Sequence, residues 1–283
     1  MLTNLVANLL LQGPPKSTPP LDDASWPSYV RTGPRAAYRY HINRRSRSAP
    51  TVVAVHGWTS GTAHARNRTQ VLADKGWNVL LLESLGHGTS TYADAWTAHC
   101  VLECLEDLLD ALGDGSLGVD STDLFLHGHS LGAYVVLRAL QGRHGQKVRA
   151  VLLESPMTSY SPIFTEAIRG LRWPQWIPGF QRRLEHRLMS RWNAMHPGVS
   201  ITAMSQVDVP AWGVPHVPTF VMQADPDTRL GPEQLDNLLA CVPEDLIDVW
   251  TSTTLRHSGT SAHPERDEAM LNWLEMKGFT LHC

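Results

Sequence analysis

The chain carries a pentapeptide that combines a potential nucleophile with two glycines, GHSLG at 128–132. The apolar run at 124–126 before it predicts a strand, and the run at 133–140 after it predicts a helix. A sharp turn from strand to helix would expose the hydroxyl of Ser130, and the flanking glycines would let strand and helix approach closely. The pattern therefore predicts an exposed, nucleophilic serine at a strained turn, rather than an ordinary serine in a βα turn.

In this setting the pentapeptide resembles the nucleophile turn of the α/β-hydrolase superfamily, and its esterase and lipase branch most of all. The resemblance implies an α/β-hydrolase fold, with a mostly parallel eight-stranded sheet and helices on both faces. It also implies a catalytic triad in the chain order serine, aspartate or glutamate, histidine. Serine needs such a base because its hydroxyl is a weak nucleophile at neutral pH.

Fourteen histidines could supply the base, and their positions distinguish them. His257 comes shortly after the last predicted strand, at 246–250, and seven residues before Pro264, where the final predicted helix begins. This spacing resembles the histidine loop of the family and makes His257 the candidate base. His263 is the alternative, but it directly precedes the final helix and is expected to help cap it.

Two aspartates compete to be the triad acid, and both follow the strand predicted at 219–224. The family usually has the pattern G-x-x-D here, with Ala224 in this chain at the position of the glycine. This alignment makes Asp227 the candidate acid. Because the alanine departs from the pattern, a different turn could bring Asp225 to the histidine instead. The aspartate left idle would be a turn residue, since Asp-Pro-Asp favours turns.

Two backbone amides are candidates for an oxyanion hole. The β-branched run at 51–55 predicts a buried strand that ends in the tripeptide HGW at 56–58. In the family, the residue after the glycine of such a loop donates an amide to the oxyanion. The resemblance therefore assigns the two donors to the N–H groups of Trp58 and Leu131. The alternative is a plain turn from strand to loop.

These residues predict a serine hydrolase that cleaves carboxylic esters of small or medium acyl groups through an acyl-enzyme intermediate. The expected partner is a small-molecule acyl ester, and neither a cofactor nor a metal is required. Thioesterase, lactonase, amidase or C–C bond hydrolase chemistry would use the same triad. A ligand-binding homologue without catalysis is the hypothesis from another class. Such homologues usually lose a member of the triad, whereas this chain has candidates for all three.

The alternation of predicted strands and helices stops after 154 and resumes at Pro218. A gap of about 60 residues is much longer than an ordinary connection. It predicts a helical cap at 157–214, inserted after the sixth strand into a core formed by 1–156 and 215–283. The cap carries Trp173, Trp176 and a cluster of arginines that is either a solvated helix face or an attractor of anionic substrates or lipid. The arginines are Arg169, Arg172, Arg182, Arg183, Arg187 and Arg191.

The composition narrows the remaining classes of function. A formal net charge of −3 gives no global attraction for nucleic acid. The apolar run at 5–11 is too short to span a bilayer and lacks the basic start and cleavage site of a signal peptide. We expect a short amphipathic helix or a loose tail there, no stable membrane insertion, and a cytoplasmic location. Cys100 and Cys104 are expected to be buried thiols, because no Cys/His pair follows at zinc spacing.

Overall fold

Eight strands form one sheet in the computed structural model, which describes residues 2–14, 21–92, 95–170 and 177–279. Their order is β1-β2-β4-β3-β5-β6-β7-β8. The pairs β1/β2 and β2/β4 are antiparallel, and all other neighbours are parallel, which confirms the predicted mostly parallel sheet. The strands are β1 Ser28–Thr32, β2 Ala37–Asn43, β3 Thr51–Val55, β4 Asn78–Glu83, β5 Leu124–His129, β6 Val148–Glu154, β7 Thr219–Ala224 and β8 Ile247–Ser252.

Helices cover both faces of this sheet, as the periodicity of the sequence predicts. Side chains alternate across a strand, so Val53 and Val55 of β3 pack with α3 and α4, whereas Val52 and Ala54 pack with α2 and α8. The described helices are α1 Leu2–Leu10, α2 Thr62–Asp74, α3 Ala98–Gly113, α4 Leu131–Ala139, α5 Ser161–Gly170, α6 Phe180–Met195, α7 Glu233–Leu239 and α8 Pro264–Met276. None of them combines the length and hydrophobicity needed to cross a bilayer.

The strand order reverses at β3, and this reversal creates a crevice at one edge of the sheet. Strand β4 lies on one side of β3, and the next strand of the chain, β5, lies on the other. Parallel strands end at the same edge, so the HGW loop after β3 and Ser130 after β5 are neighbours there. Such reversal points are where open α/β sheets bind ligands.

Two helices, α5 and α6, lie between β6 and β7, in the stretch where the sequence predicts a cap. The cap as a separate unit, with its bounds at 157 and 214, stays a prediction. Trp173, Trp176 and Arg172 lie outside the described residues. On α6, three arginines are exposed to solvent, namely Arg182, Arg183 and Arg187.

The first helix, α1, packs mainly against α6. Its buried residues Val6 and Ala7, together with Leu11 just after it, form a small apolar cluster with Leu184 and Leu188 of α6. Residues 5–10 of this run therefore belong to an amphipathic helix. The sequence analysis expected either such a helix or a loose tail.

Candidate active site

The turn between β5 and α4 holds Ser130 in a strained conformation. Its φ of 53° and ψ of −118° lie in a region that non-glycine residues rarely adopt. Backbone hydrogen bonds hold it there, because the Ser130 N–H donates to Glu154 O at 3.0 Å and the Met157 N–H donates to Ser130 O at 3.2 Å. The turn thus presents the Ser130 side chain between the end of β5 and the start of α4.

The two flanking glycines are required by close backbone contacts. A Cβ on Gly128 would lie 2.5 Å from the Ala133 Cα, and one on Gly132 would lie 2.0 Å from the carbonyl oxygen of Val55. Any larger residue at either position would push α4 away from β3 and β5. The GHSLG pattern is therefore a consequence of packing as well as of chemistry.

The three residues proposed as a triad meet at this edge of the sheet. His257 Nε2 lies 3.0 Å from Ser130 Oγ, and His257 Nδ1 lies 2.8 Å from Asp227 Oδ2. All three residues are at least nine-tenths buried. With Nδ1–H donating to the carboxylate, Nε2 is free to accept the proton of the serine hydroxyl.

Asp227, and not Asp225, faces the histidine. Its other oxygen, Oδ1, accepts hydrogen bonds from the N–H groups of Arg229 and Leu230, both at 2.9 Å. Burial acts to raise the pKa of Asp227, but hydrogen bonds from His257 and from these two amides hold it below its usual value. Asp225 is exposed to solvent in the same turn. The carboxylate against His257 is therefore ionised at neutral pH.

The two amides proposed for the oxyanion hole lie on adjoining segments. Gly57 packs so closely on the nucleophile turn that a Cβ there would be 3.1 Å from the Ser130 Cβ. Trp58 follows it, while Leu131 is the first residue of α4. Both Trp58 and Leu131 line the same cavity as Ser130. A helix N-terminus at Leu131 favours negative charge beside the serine.

Beneath the histidine loop lies a buried ion cluster that the sequence analysis did not identify. Glu154, at the end of β6, accepts from Arg68 Nε at 2.8 Å and from Arg266 Nη1 at 3.3 Å. Burial acts to raise the pKa of Glu154, but the two guanidinium groups lower it to about 2. Arg68 Nη2 also donates to the carbonyl oxygen of Gly259 at 2.6 Å. The cluster thereby holds the loop that carries His257.

A second support for this loop comes from the residue before the nucleophile. The ring Nε2 of His129 lies 2.7 Å from the carbonyl oxygen of His257. Burial holds the pKa of His129 well below its usual value, so the ring is neutral and Nε2–H is the donor. His129, at the first variable position of the G-x-S-x-G pattern, thus contacts the backbone of His257, the candidate base.

Among the residues that the structure describes, three potential metal ligands approach one another, and none of the three lines the cavity of Ser130. They are His99, Glu103 and His196, on α3 and after α6. However, both oxygens of Glu103 accept hydrogen bonds from the guanidinium of Arg35, at 2.8 and 2.9 Å. A cation placed there would face a second positive charge, and so we interpret the group as an ion cluster between α3 and the end of α6. The nearby Cys100 is a buried free thiol.

With this fold and site geometry established, the comparisons identify the family. A model of the alpha/beta hydrolase family matches residues 52–271, and the chain belongs to that family. Comparison with curated proteins gives no match.

Several solved structures share the fold at low sequence identity. The esterase Pf2001 of Pyrococcus furiosus is 18% identical, with a TM-score of 0.66 over 93% of this chain and 98% of its own. A protein of Agrobacterium vitis known as a putative hydrolase is also 18% identical, with a TM-score of 0.59 over 89% of this chain and 98% of its own. A bacterial membrane phospholipase A is 15% identical, with a TM-score of 0.65 over 91% and 88%. At these identities the likeness establishes the fold alone.

Proposed function

We propose that the chain is a serine hydrolase that cleaves carboxylic esters, with Ser130, His257 and Asp227 as its triad. The observation that carries the proposal is the single imidazole that bridges Ser130 Oγ and Asp227 Oδ2. Membership of the alpha/beta hydrolase family and a fold like that of an esterase support it. The strained backbone at Ser130 supports it as well, because such strain concentrates at functional sites.

In the first half of the reaction, His257 Nε2 takes the hydroxyl proton while Ser130 Oγ bonds to the ester carbonyl carbon. The carbonyl oxygen becomes an oxyanion, which the Trp58 and Leu131 amides stabilise. Asp227 holds the ring in the productive tautomer and stabilises the imidazolium. Collapse of the oxyanion then breaks the bond between the carbonyl carbon and the alkoxy oxygen, to which His257 gives the proton. An alcohol departs and the acyl group remains on Ser130.

In the second half, a water molecule replaces the alcohol. His257 takes a proton from the water, and the resulting hydroxide attacks the acyl carbon. Collapse of the second oxyanion breaks the bond to Ser130 Oγ, which recovers its proton from His257. The products are one alcohol and one carboxylic acid, and the side chains return to their starting states.

The proposal is tested by the hydrolysis of p-nitrophenyl butanoate. We expect Ser130→Ala to lower kcat by about four to six orders of magnitude, because the members of a triad act as a unit. Ser48→Ala, an exposed serine in a turn, is the matched control and should keep its activity. Circular dichroism checks that both variants are folded. Near-wild-type turnover by Ser130→Ala would overturn the mechanism, and no hydrolysis by the wild type would favour the binding-only hypothesis.

Bond type is tested with the same acyl group on different leaving groups. A butanoyl ester, thioester and amide would be compared at equal concentration, with Ser130→Ala as the blank. Carboxylesterase activity predicts the highest kcat/KM for the ester. A thioester preferred at least tenfold would instead assign the chain to thioesterase chemistry.

A further inference from the structure

A cavity of about 1260 Å³ runs from Ser130 and His257 to the first helix of the chain. It is larger than the range of about 300–1,000 Å³ that holds most drug-sized ligands. Three consecutive residues of α1 and its C-terminal flank, Leu9, Leu10 and Leu11, form part of its wall. The site therefore extends well beyond the space that a small acyl group would need.

The wall of this cavity is apolar and aromatic along much of its length. Five aromatic side chains contribute to it, namely Trp58, Trp96, Tyr160, Phe164 and Trp192. Trp58 and Trp96 pack edge to face, with ring centroids 4.6 Å apart, close to the proposed oxyanion site. Surfaces of this kind bind hydrocarbon, because burial removes apolar area from water.

Several charged and polar side chains in the lining already form ion pairs or hydrogen bonds within the protein. Arg68 pairs with Glu154, as described above. Asp208 Oδ1 accepts from two backbone amides at the start of α5, those of Tyr160 at 2.7 Å and Ser161 at 3.0 Å. Gln234 Oε1 likewise accepts from two amides, at 2.6 and 2.8 Å. The remaining charged residues, Glu166, Arg229 and Glu233, are exposed to solvent.

The helix α1 is fixed in place by packing against α6 and by a backbone hydrogen bond at its C-terminal flank. Val6 is 4% exposed in the cluster with α6, and the carbonyl oxygen of Leu11 accepts from the Trp96 N–H at 2.6 Å. On the other side of the helix, Leu5 is 58% exposed and does not line the cavity. One helix thus has an anchoring face, a solvent face and a group of residues in the wall of the cavity.

We propose that α1 and its C-terminal flank form one wall of an acyl-binding cavity, and that the substrate is an ester with a long aliphatic chain that reaches this wall. The inference rests on the proposed ester hydrolysis at Ser130 and extends it from small or medium acyl groups to long ones. Each methylene that enters the cavity should raise kcat/KM about fourfold, which corresponds to the free energy of burying one CH₂ group.

The first test is a series of p-nitrophenyl esters from butanoate to decanoate, below their micellar concentrations. We expect kcat/KM of the wild type to rise about fourfold per methylene. A flat or falling series, with butanoate still hydrolysed, would overturn the inference and leave the proposed function standing. No hydrolysis of any ester would overturn both.

The second test detaches α1 with a matched pair of substitutions. Val6→Asp places a charge in the anchoring cluster, whereas Leu5→Asp makes the same change at the neighbouring exposed position. We expect Val6→Asp to lower the ratio of kcat/KM for decanoate to that for butanoate about tenfold, equivalent to losing contact with about two methylenes. Leu5→Asp should leave this ratio unchanged. An unchanged ratio in both folded variants would overturn the inference.

A third variant tests the role of α1 if Val6→Asp does not fold. Leu10 is half-buried and lines the cavity, so Leu10→Trp should fill space at the wall formed by α1 without removing the anchor. We expect it to lower the same ratio at least about tenfold, because the bulky indole excludes the end of the longer chain. A wild-type ratio in Leu10→Trp would overturn the assignment of α1 as the wall.

Discussion

Replacing Glu154 with glutamine removes the negative charge that faces Arg68 and Arg266 in the interior. All three side chains are nearly inaccessible to water. Their attraction lowers the pKa of Glu154 from an ordinary 4.5 to about 2. At about 1.4 kcal/mol for each pKa unit, the charged state of this carboxyl stabilises the folded protein by about 3 kcal/mol. This figure agrees with the cost of about 3–5 kcal/mol for removing one partner of a buried ion pair, which leaves the other charge without a counter-ion.

The sign of the pH dependence follows from the same shift. A carboxyl with a lowered pKa in the folded protein contributes its full stabilisation above the unfolded value, near 4.5, and loses it as the pH falls toward 2. The glutamine of the Glu154→Gln variant does not titrate in this pH range. The variant's free energy of unfolding should therefore fall less steeply than that of the wild type between about pH 5 and pH 3.

Urea unfolding at pH 7 and at several lower pH values measures both effects. The matched control is Asp123→Asn, which breaks the ion pair between Asp123 and Arg149, a contact of 2.7 Å with both side chains about half exposed. Exposed pairs contribute about 0–1 kcal/mol, so this control should change stability little. A cost below about 1 kcal/mol for Glu154→Gln, or equal costs for the two variants, would refute the reasoning.

Two further pairs of substitutions test the other triad residues by ester hydrolysis. His257→Ala should lower kcat by about four to six orders of magnitude, whereas His263→Ala should cost little, because His263 Nδ1 accepts from the Arg266 N–H and caps α8. A reversed result would refute the choice of base. Asp227→Asn should lower kcat by up to about four orders of magnitude, because an amide favours the wrong tautomer of the histidine. Asp225→Asn should keep kcat close to that of the wild type, and a larger loss there than at Asp227 would transfer the role of acid.

The sequence indicates the nucleophile turn because the constraints on it are local. Gly128 and Gly132 are needed within a few residues of Ser130, so their spacing survives in the sequence as a readable pattern. The same is true of α8, whose predicted start agrees with the structure because Pro264 and the cap at His263 mark it. The β-branched run at 51–55 likewise predicted a buried strand, because a strand inside a parallel sheet is apolar on both faces.

The sequence favoured Asp227 over Asp225 as the triad acid but could not decide between the two. Both belong to one short turn, and two backbone amides together with the approach of His257 decide which carboxylate points inward. The family pattern favoured Asp227 in spite of Ala224, and the geometry brings that residue to the histidine. Its role in catalysis is part of the proposal.

The supports of the site could not be predicted because they join distant parts of the chain. Glu154 lies 86 residues from Arg68 and 112 from Arg266, and each looks like an ordinary charged residue in its own segment. The packing of α1 on α6 is equally hidden, since an amphipathic helix shows that it has an apolar face but not which surface covers it. Long-range contacts of this kind need the folded structure.

Covalent labelling of the serine tests the central claim most directly. The purified protein is treated with a fluorophosphonate, digested, and analysed by mass spectrometry to locate the phosphonyl group. An activated Ser130 predicts one label, on the peptide that contains this serine, which disappears in Ser130→Ala and forms far more slowly in His257→Ala. A label on another residue, or one that persists in Ser130→Ala, would contradict the assignment of Ser130 as the nucleophile.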